Sequence, residues 1–206
     1  MARKAMNAQD VQRERSRILA QAQRLTEQGG FKHLSMRKLA ACLGVTATTI
    51  YRYFSSKDEL FLSLLVTGFN RLYEGIVRRT AEEWDMDAKL KAAADEYIRF
   101  GIEDKGYYSL MFASDYPECR EYIDPREVEL AQEATRVSMG VAGLVGELAA
   151  QAAGRPVPVE RVVQAWTIMH GFVSLYNSGI FHQMVEDVDA LREETVRQAV
   201  NIGLAV

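Results

Sequence analysis

A chain of 206 residues, 48% apolar and 26% charged, is long enough for one sizeable core or for a small domain joined to a larger one. Its N-terminus, MARKAMNAQDVQRERSRILAQ, carries positive charge without an apolar h-region, and nearly apolar runs such as residues 60–66 are too short to cross a bilayer, which excludes a membrane span and predicts a cytoplasmic globular protein. The formal charge of −3 hides a split: up to Lys57 there are 11 Lys and Arg against 3 Asp and Glu, a net of +8, whereas the remainder has 14 against 25, a net of −11, so a basic head for a polyanion sits on an acidic body.

Helix signals run along nearly the whole chain. Residues 11–28 place Ile18, Ala22 and Leu25 at helical spacing and stop at Gly29-Gly30. Ser35 is an N-cap for a short helix carrying Met36, Leu39, Ala40 and Leu43 on one face, and Gly44 supplies the positive φ of a tight turn. The next stretch, TATTIYRYF, should be a strand by composition alone. Its flanks decide otherwise: Thr46 caps a third helix, and Ser56 with Glu59 forms the capping-box pattern that opens a fourth, striped with Leu60, Phe61, Leu64 and Leu65. A segment so short between two well-punctuated helices belongs to no sheet.

The spacing is that of a helix-turn-helix, with residues 36–43 supporting, 43–45 turning and 46–53 reading. A reading helix must bring its N-terminal backbone close to base edges and phosphates. The short side chains of Thr46, Ala47, Thr48 and Thr49 permit that approach, at the cost of helix propensity. Ile50 and Phe54, four apart, face inward, and Tyr51, Arg52 and Tyr53 are left to reach the sugar-phosphate backbone or a base.

Farther along, helices are predicted at 57–84, 87–103, 107–112, 124–152, 159–180 and 187–203, with Asp124-Pro125 as a cap followed by proline at the first helical position and residues 154–158 as a break. The fold class is all-α, with about nine helices. A three-helix helix-turn-helix domain for DNA over 1–57 precedes a larger helical domain over 58–206. Catalysis has no constellation to rest on, since the three histidines form no pair at metal-ligand spacing and neither G-x-S-x-G nor a Walker lysine motif occurs. Cys42 and Cys119 lack CxxC spacing or a histidine partner, so no metal, cofactor or disulfide is predicted.

The stretch SMRKLAACLGVTATTIYRYFSSKDEL, residues 35–60, with AQRLTEQGGFKHL before it, resembles the tetracycline-repressor (TetR) family of bacterial one-component regulators. The order of LA, LGV, the I-Y-x-Y-F block and S-K-x-E-L carries the resemblance. It implies that Thr46, Thr48, Thr49, Tyr51 and Tyr53 face double-stranded DNA, with Ser35 and Arg37 also close to the duplex. Lys57 matches the family's lysine at the start of the fourth helix, where its ammonium and the helix N-terminus meet one phosphate. The family often has histidine where Tyr53 stands and glycine near Thr48, so the base preference does not carry over.

Residues 165–181, AWTIMHGFVSLYNSGIF, resemble the Trp-x-x-x-His-Gly signature of one C-terminal subfamily. The family's last two helices form a four-helix bundle with their symmetry mates. Here they would be 159–180 and 187–203, the latter with Val188, Leu191, Val196, Ala199 and Val200 as an apolar stripe for a homodimer to cover. An effector pocket is expected among Tyr97, Phe100, Tyr107, Tyr108, Met111, Phe112, Trp166, Met169, His170, Phe172 and Tyr176, a set that suits an apolar or aromatic small molecule with a few polar anchors. His170 reads either as such an anchor or as a core histidine satisfied by a carbonyl. The resemblance implies a dimeric repressor released from a palindromic operator by its effector. A second reading is a helical protein that sequesters a hydrophobic compound and touches DNA only non-specifically.

Overall fold

Caps set most of the helix boundaries in the computed structural model, which describes residues 7–112 and 121–204. Among these residues there are ten α-helices, one 3-10 turn at Phe31–His33 and no strand. Asn7 accepts from the Asp10 amide and opens α1, Ala8–Gly29. Ser35 opens α2, Met36–Leu43, and Thr46 opens α3, Ala47–Tyr51. Asp85 opens α5, Met86–Glu103, by accepting from the Ala88 amide at 3.0 Å. Asp124 accepts from the Arg126 and Glu127 amides at the head of α7, Pro125–Ala153, so the predicted cap and first-turn proline both form.

Two compact units emerge from this chain, and their boundaries differ from a single cut after residue 57. The first takes the described residues up to Gly68 together with those of Gly106–Ala134; the second takes Phe69–Lys105 and the described residues from Thr135 onward. The long helices α4, Lys57–Ala81, and α7 each begin in the first unit and end in the second.

The first unit packs α1, α2, α3, the start of α4 and α6, Lys105–Met111, around a core of Ile18, Leu25, Phe31, Leu39, Ile50, Phe54, Leu60 and Phe61. The Phe31 and Phe61 rings meet at 5.1 Å. Helix α6 lies close to two neighbours through glycine. A Cβ on Gly106 would stand 3.0 Å from the Gln23 carbonyl oxygen of α1, and a Cβ on Gly68 would stand 3.2 Å from Tyr107 and Met111. Absent side chains at these two positions allow the helices to approach.

The second unit sets α8, Val159–Asn177, against α10, Val188–Leu204, with α5 packed on both. Its core includes Leu72, Ile76, Tyr97, Ile98, Phe100, Met169, Phe172, Val173, Val196 and Val200. Within it, Glu96 is a buried carboxylate gripped at two oxygens by Arg99, at 2.8 and 2.6 Å, and those hydrogen bonds hold the guanidinium charge firmly. Gly75 of α4 leaves the space that this carboxylate fills.

Three expectations shift. Helix α4 stops at Ala81, leaving Trp84 fully exposed beyond it. Helix α8 stops at Asn177 because Gly179 takes φ +78°, and a short α9, Phe181–Met184, follows with Phe181 buried against Phe172 at 5.0 Å. The apolar stripe of α10 is covered at Val196, Ala199 and Val200 by its own unit, whereas α8, which packs on α10, leaves Val159, Val163, Trp166 and Leu175 in solvent. By length and hydropathy α4 alone among the described helices would reach across a bilayer, but half of its apolar window is buried, as in a core helix.

Candidate nucleic-acid interface

The reading motif is held by its own local hydrogen bonds. Ser35 Oγ accepts from the Lys38 amide at 3.1 Å, and Gly44 adopts φ +67° while its amide returns to the carbonyls of Ala40 and Ala41. Thr46 Oγ1 accepts from the Thr49 amide at 3.2 Å and sits 3.0 Å from Thr49 Oγ1. These two hydroxyls therefore brace the helix start as well as facing outward. Helix α3 has five residues, shorter than the predicted reading segment, and Tyr53 lies in the turn after it, its amide bonded to the Ile50 carbonyl.

Burial sorts the motif into two faces. Ile50 and Phe54 are completely buried, as predicted from their spacing, and Leu39 closes the same core. Ser35, Arg37, Thr46, Thr48, Tyr51 and Arg52 are exposed, with Thr49 and Tyr53 half-buried beside them. Tyr51 holds 50% of its surface in solvent, a large exposure for an aromatic side chain. Lys38, next to Arg37, is an additional exposed cation, and its outward position depends on the Ser35 cap that starts the helix.

Lys57 takes a more constrained position. Its ammonium rests over the Phe31 ring, 4.8 Å from the centroid, and burial lowers its pKa from the usual lysine value while Asp58 offsets part of that shift. The contact fixes the side chain at the head of α4, where the first helical amides also point.

Two basic residues of α1 bond to the motif, Arg15 half-buried and Arg17 exposed. Arg17 donates to the Leu43 carbonyl at 3.0 Å, satisfying the end of α2. Arg15 stacks its guanidinium 4.1 Å from the Phe54 ring centroid, donates to the Tyr53 carbonyl, and pairs with Glu59 at 3.1 Å. Glu59 is fully buried and also accepts from the Ser55 amide at 2.6 Å and the Ser55 hydroxyl at 2.9 Å. The capping box is thus displaced by one residue: Ser56 Oγ accepts from the Glu59 amide at 2.8 Å, while the Glu59 carboxylate reaches back to Ser55. Part of the charge excess in the head is consequently internal.

The residues expected to line an effector pocket fall in both units. Tyr107 and Tyr108 are buried in the first, with Met111 and Phe112 half-buried and the Tyr108 and Phe112 rings 4.8 Å apart. In the second, Tyr97, Phe100, Met169 and Phe172 are buried, His170 and Tyr176 half-buried, and Trp166 exposed at its rim. Trp166 Nε1 donates to the Tyr97 hydroxyl at 2.7 Å, and that hydroxyl lies 3.3 Å from His170 Nδ1. The direction of that contact follows the imidazole tautomer. Burial lowers the His170 pKa from its usual value. An open groove of about 460 Å³ on the second unit is lined instead by Arg79, Glu83, Lys91, Asp95, Glu193 and Arg197 among others, and by none of these aromatics.

No group of His, Cys, Asp and Glu suited to a metal occurs among the described residues. Cys42 is a free, exposed thiol, and Cys119 lies outside the described residues.

Comparison with known proteins agrees with this geometry. Residues 18–64 match the family described as bacterial regulatory proteins, tetR family, and residues 90–199 match that described as tetracyclin repressor-like, C-terminal domain. The HTH-type transcriptional activator FasR of Mycolicibacterium smegmatis is 29% identical over 102 residues, 50% of this chain and 47% of that protein. The HTH-type transcriptional repressor KstR of Mycobacterium tuberculosis is 39% identical over 64 residues, 31% of this chain and 29% of its own. The chain thus spans less than half the length of either curated relative. Among solved structures, the fatty acid degradation regulator FadR from Bacillus halodurans superposes with a TM-score of 0.67 at 18% identity, covering 96% of this chain and 97% of that one. A tetR-family regulatory protein from Rhodococcus RHA1 gives 0.67 at 16% identity over 93% and 97%.

Proposed function

Since the chain belongs to the tetR family of bacterial regulatory proteins, which are DNA-binding and not enzymes, we propose that it is a cytoplasmic, ligand-responsive repressor that reads a palindromic operator as a homodimer. The observation that carries this reading is the two-faced motif, with Ile50 and Phe54 locked inside and Thr46, Thr48, Tyr51, Arg52 and Arg37 outside. Residues 1–57 hold this reading surface, and residues 58–206 supply the effector and dimer functions. Tyr51, Tyr53 and Lys57 position the head on the phosphates, whereas Thr48 and Thr49 meet base edges.

The exposed apolar residues Val159, Val163 and Trp166, at helical spacing on α8, support dimerisation through this helix and its neighbour α10. An apolar or aromatic effector would occupy the Trp-His-Gly region, with the Tyr97–His170 pair as its polar anchor. Binding one conformation better, it moves the reading helices off the separation of about 34 Å that successive major grooves set. A coupling of about 1 to 3 kcal/mol lowers operator affinity roughly 5- to 150-fold.

The test is to incubate the purified protein with sheared genomic DNA from its source at near-physiological salt and sequence what is retained. Enrichment of an inverted repeat is the expected outcome. Uniform retention that falls steeply with salt would replace operator reading by non-specific phosphate binding.

A further inference from the structure

The start of α7 grips the start of α4 and, through it, the reading motif. Arg126 Nε lies 2.9 Å from Glu59 Oε1, the same buried oxygen that Arg15 approaches at 3.1 Å. One residue on, Glu127 Oε1 accepts from Ser56 Oγ at 2.5 Å, and that hydroxyl in turn caps the Glu59 amide. Asp124 and Pro125 fix the helix turn that presents this pair.

We infer that Arg126, with Glu127 beside it, is a positioning residue for DNA reading, acting through Glu59 and Arg15 on the carbonyl of Tyr53. The inference rests on the proposed reading role of the 46–53 segment. Its physical basis is the division of one donor. Arg15 Nη1 is shared between Glu59 Oε1 and the Tyr53 carbonyl, while its guanidinium plane covers Phe54. A carboxylate with no exposure requires compensation, and two guanidinium groups supply it on Oε1 while Ser55 supplies it on Oε2. When Arg126 leaves, Arg15 is the remaining cation on Oε1 and is drawn toward it, away from Tyr53. The turn after α3 then loses the side chain that pins the Tyr53 carbonyl.

Arg126 itself has 55% of its side chain exposed, so its removal leaves no cavity. Helix α7 continues from this grip to Ala153 and into the residues of the second unit.

Three measurements on the full-length protein test the link. Arg126→Ala should weaken binding to the selected operator roughly 2- to 30-fold while leaving affinity for random-sequence DNA at the same salt unchanged. Arg126→Lys, which restores a cation to Glu59, should recover most of the loss. In DNA-free protein, amide exchange over residues 50–59 should accelerate in the Ala variant and return toward the wild-type rate in the Lys variant, with melting temperature nearly constant. Equal loss on operator and random DNA with a reduced salt slope would identify Arg126 as a direct phosphate contact and overturn the inference, as would unchanged exchange in the Ala variant. If the wild-type protein selects no operator, the proposed function fails, and the exchange comparison still decides whether Arg126 holds the motif.

Discussion

The reading motif and the aromatic body differ in what their side chains do with one another. In the motif, polar side chains are spent on short local bonds, Ser35 to the Lys38 amide and Thr46 to Thr49, and the exposed face is what remains after Ile50 and Phe54 are buried. In the second unit, aromatic side chains meet across helices: Trp166 to Tyr97, Tyr97 to His170, and Phe172 to Phe181. Local bonds between residues three apart are written in sequence spacing. Contacts between residues 69 to 73 positions apart are not. Function is consequently easier to place in the head than in the body.

The comparison breaks most visibly at Phe54. This ring is completely buried and carries the Arg15 guanidinium on its face, so Phe54→Ala should cost about 3 to 5 kcal/mol. Urea unfolding followed by helical circular dichroism measures it. A cost below about 1 kcal/mol would mean that the motif is held by its caps and not by its core. The aromatic cluster around Phe172 should meanwhile keep its near-ultraviolet signal, because it belongs to the other unit.

Gly106 probes a close approach that lies outside the motif. An alanine there would set its Cβ 3.0 Å from the Gln23 carbonyl and 2.6 Å from Glu27 Cγ. The Glu27 chain can swing away, but the carbonyl belongs to the backbone of α1. Gly106→Ala should therefore cost about 1 to 3 kcal/mol through displaced helices. A neutral result in the same urea experiment would show that α6 can shift on α1 without strain.

How much of this was legible follows from the same distinction. Ser35, Gly44, Thr46, Ser56 with Glu59, and Asp124-Pro125 all mark real helix starts or stops, because caps and left-handed turns are chemistry within four residues. Arg15 and Arg17 count toward the basic excess of the head, yet both bond to chain 26 to 44 residues away. Arg126 was invisible for the same reason, since nothing in a local pattern announces a partner at Glu59. The α10 stripe had the right period, but Val196, Ala199 and Val200 are buried within their own unit while Val188 and Leu191 stay half-buried, because periodicity reports that a face is apolar without saying which surface covers it. The short α9 escaped because a helix of four residues has too little period to detect.

Substitutions on the exposed face sharpen the division between positioning and reading. Tyr51→Ala should weaken binding to every DNA sequence alike, whereas Thr49→Val should change preference at one position per half-site by about 1 to 3 kcal/mol. The valine also removes the hydroxyl 3.0 Å from Thr46 Oγ1, but it keeps the amide bond that caps the helix. Folding should therefore survive. Binding measured against a library of single-base operator variants separates the two effects, and an equal, uniform loss for both substitutions would erase the division.

The smallest effect belongs to the body. Burial holds the His170 pKa below its usual 6.5, so as pH falls the unfolded chain takes up this proton before the folded one does. The contribution of His170 to stability is then complete above about 6.5 and diminishes as pH drops toward its folded value. His170→Asn keeps an acceptor near the Nδ1 position and removes the titration. The melting temperature of the wild type relative to this variant should accordingly rise between pH 5 and pH 7.5. A difference that stays flat over that interval would show that the imidazole is solvated enough to titrate normally, and would return the ring to the role of an ordinary surface histidine.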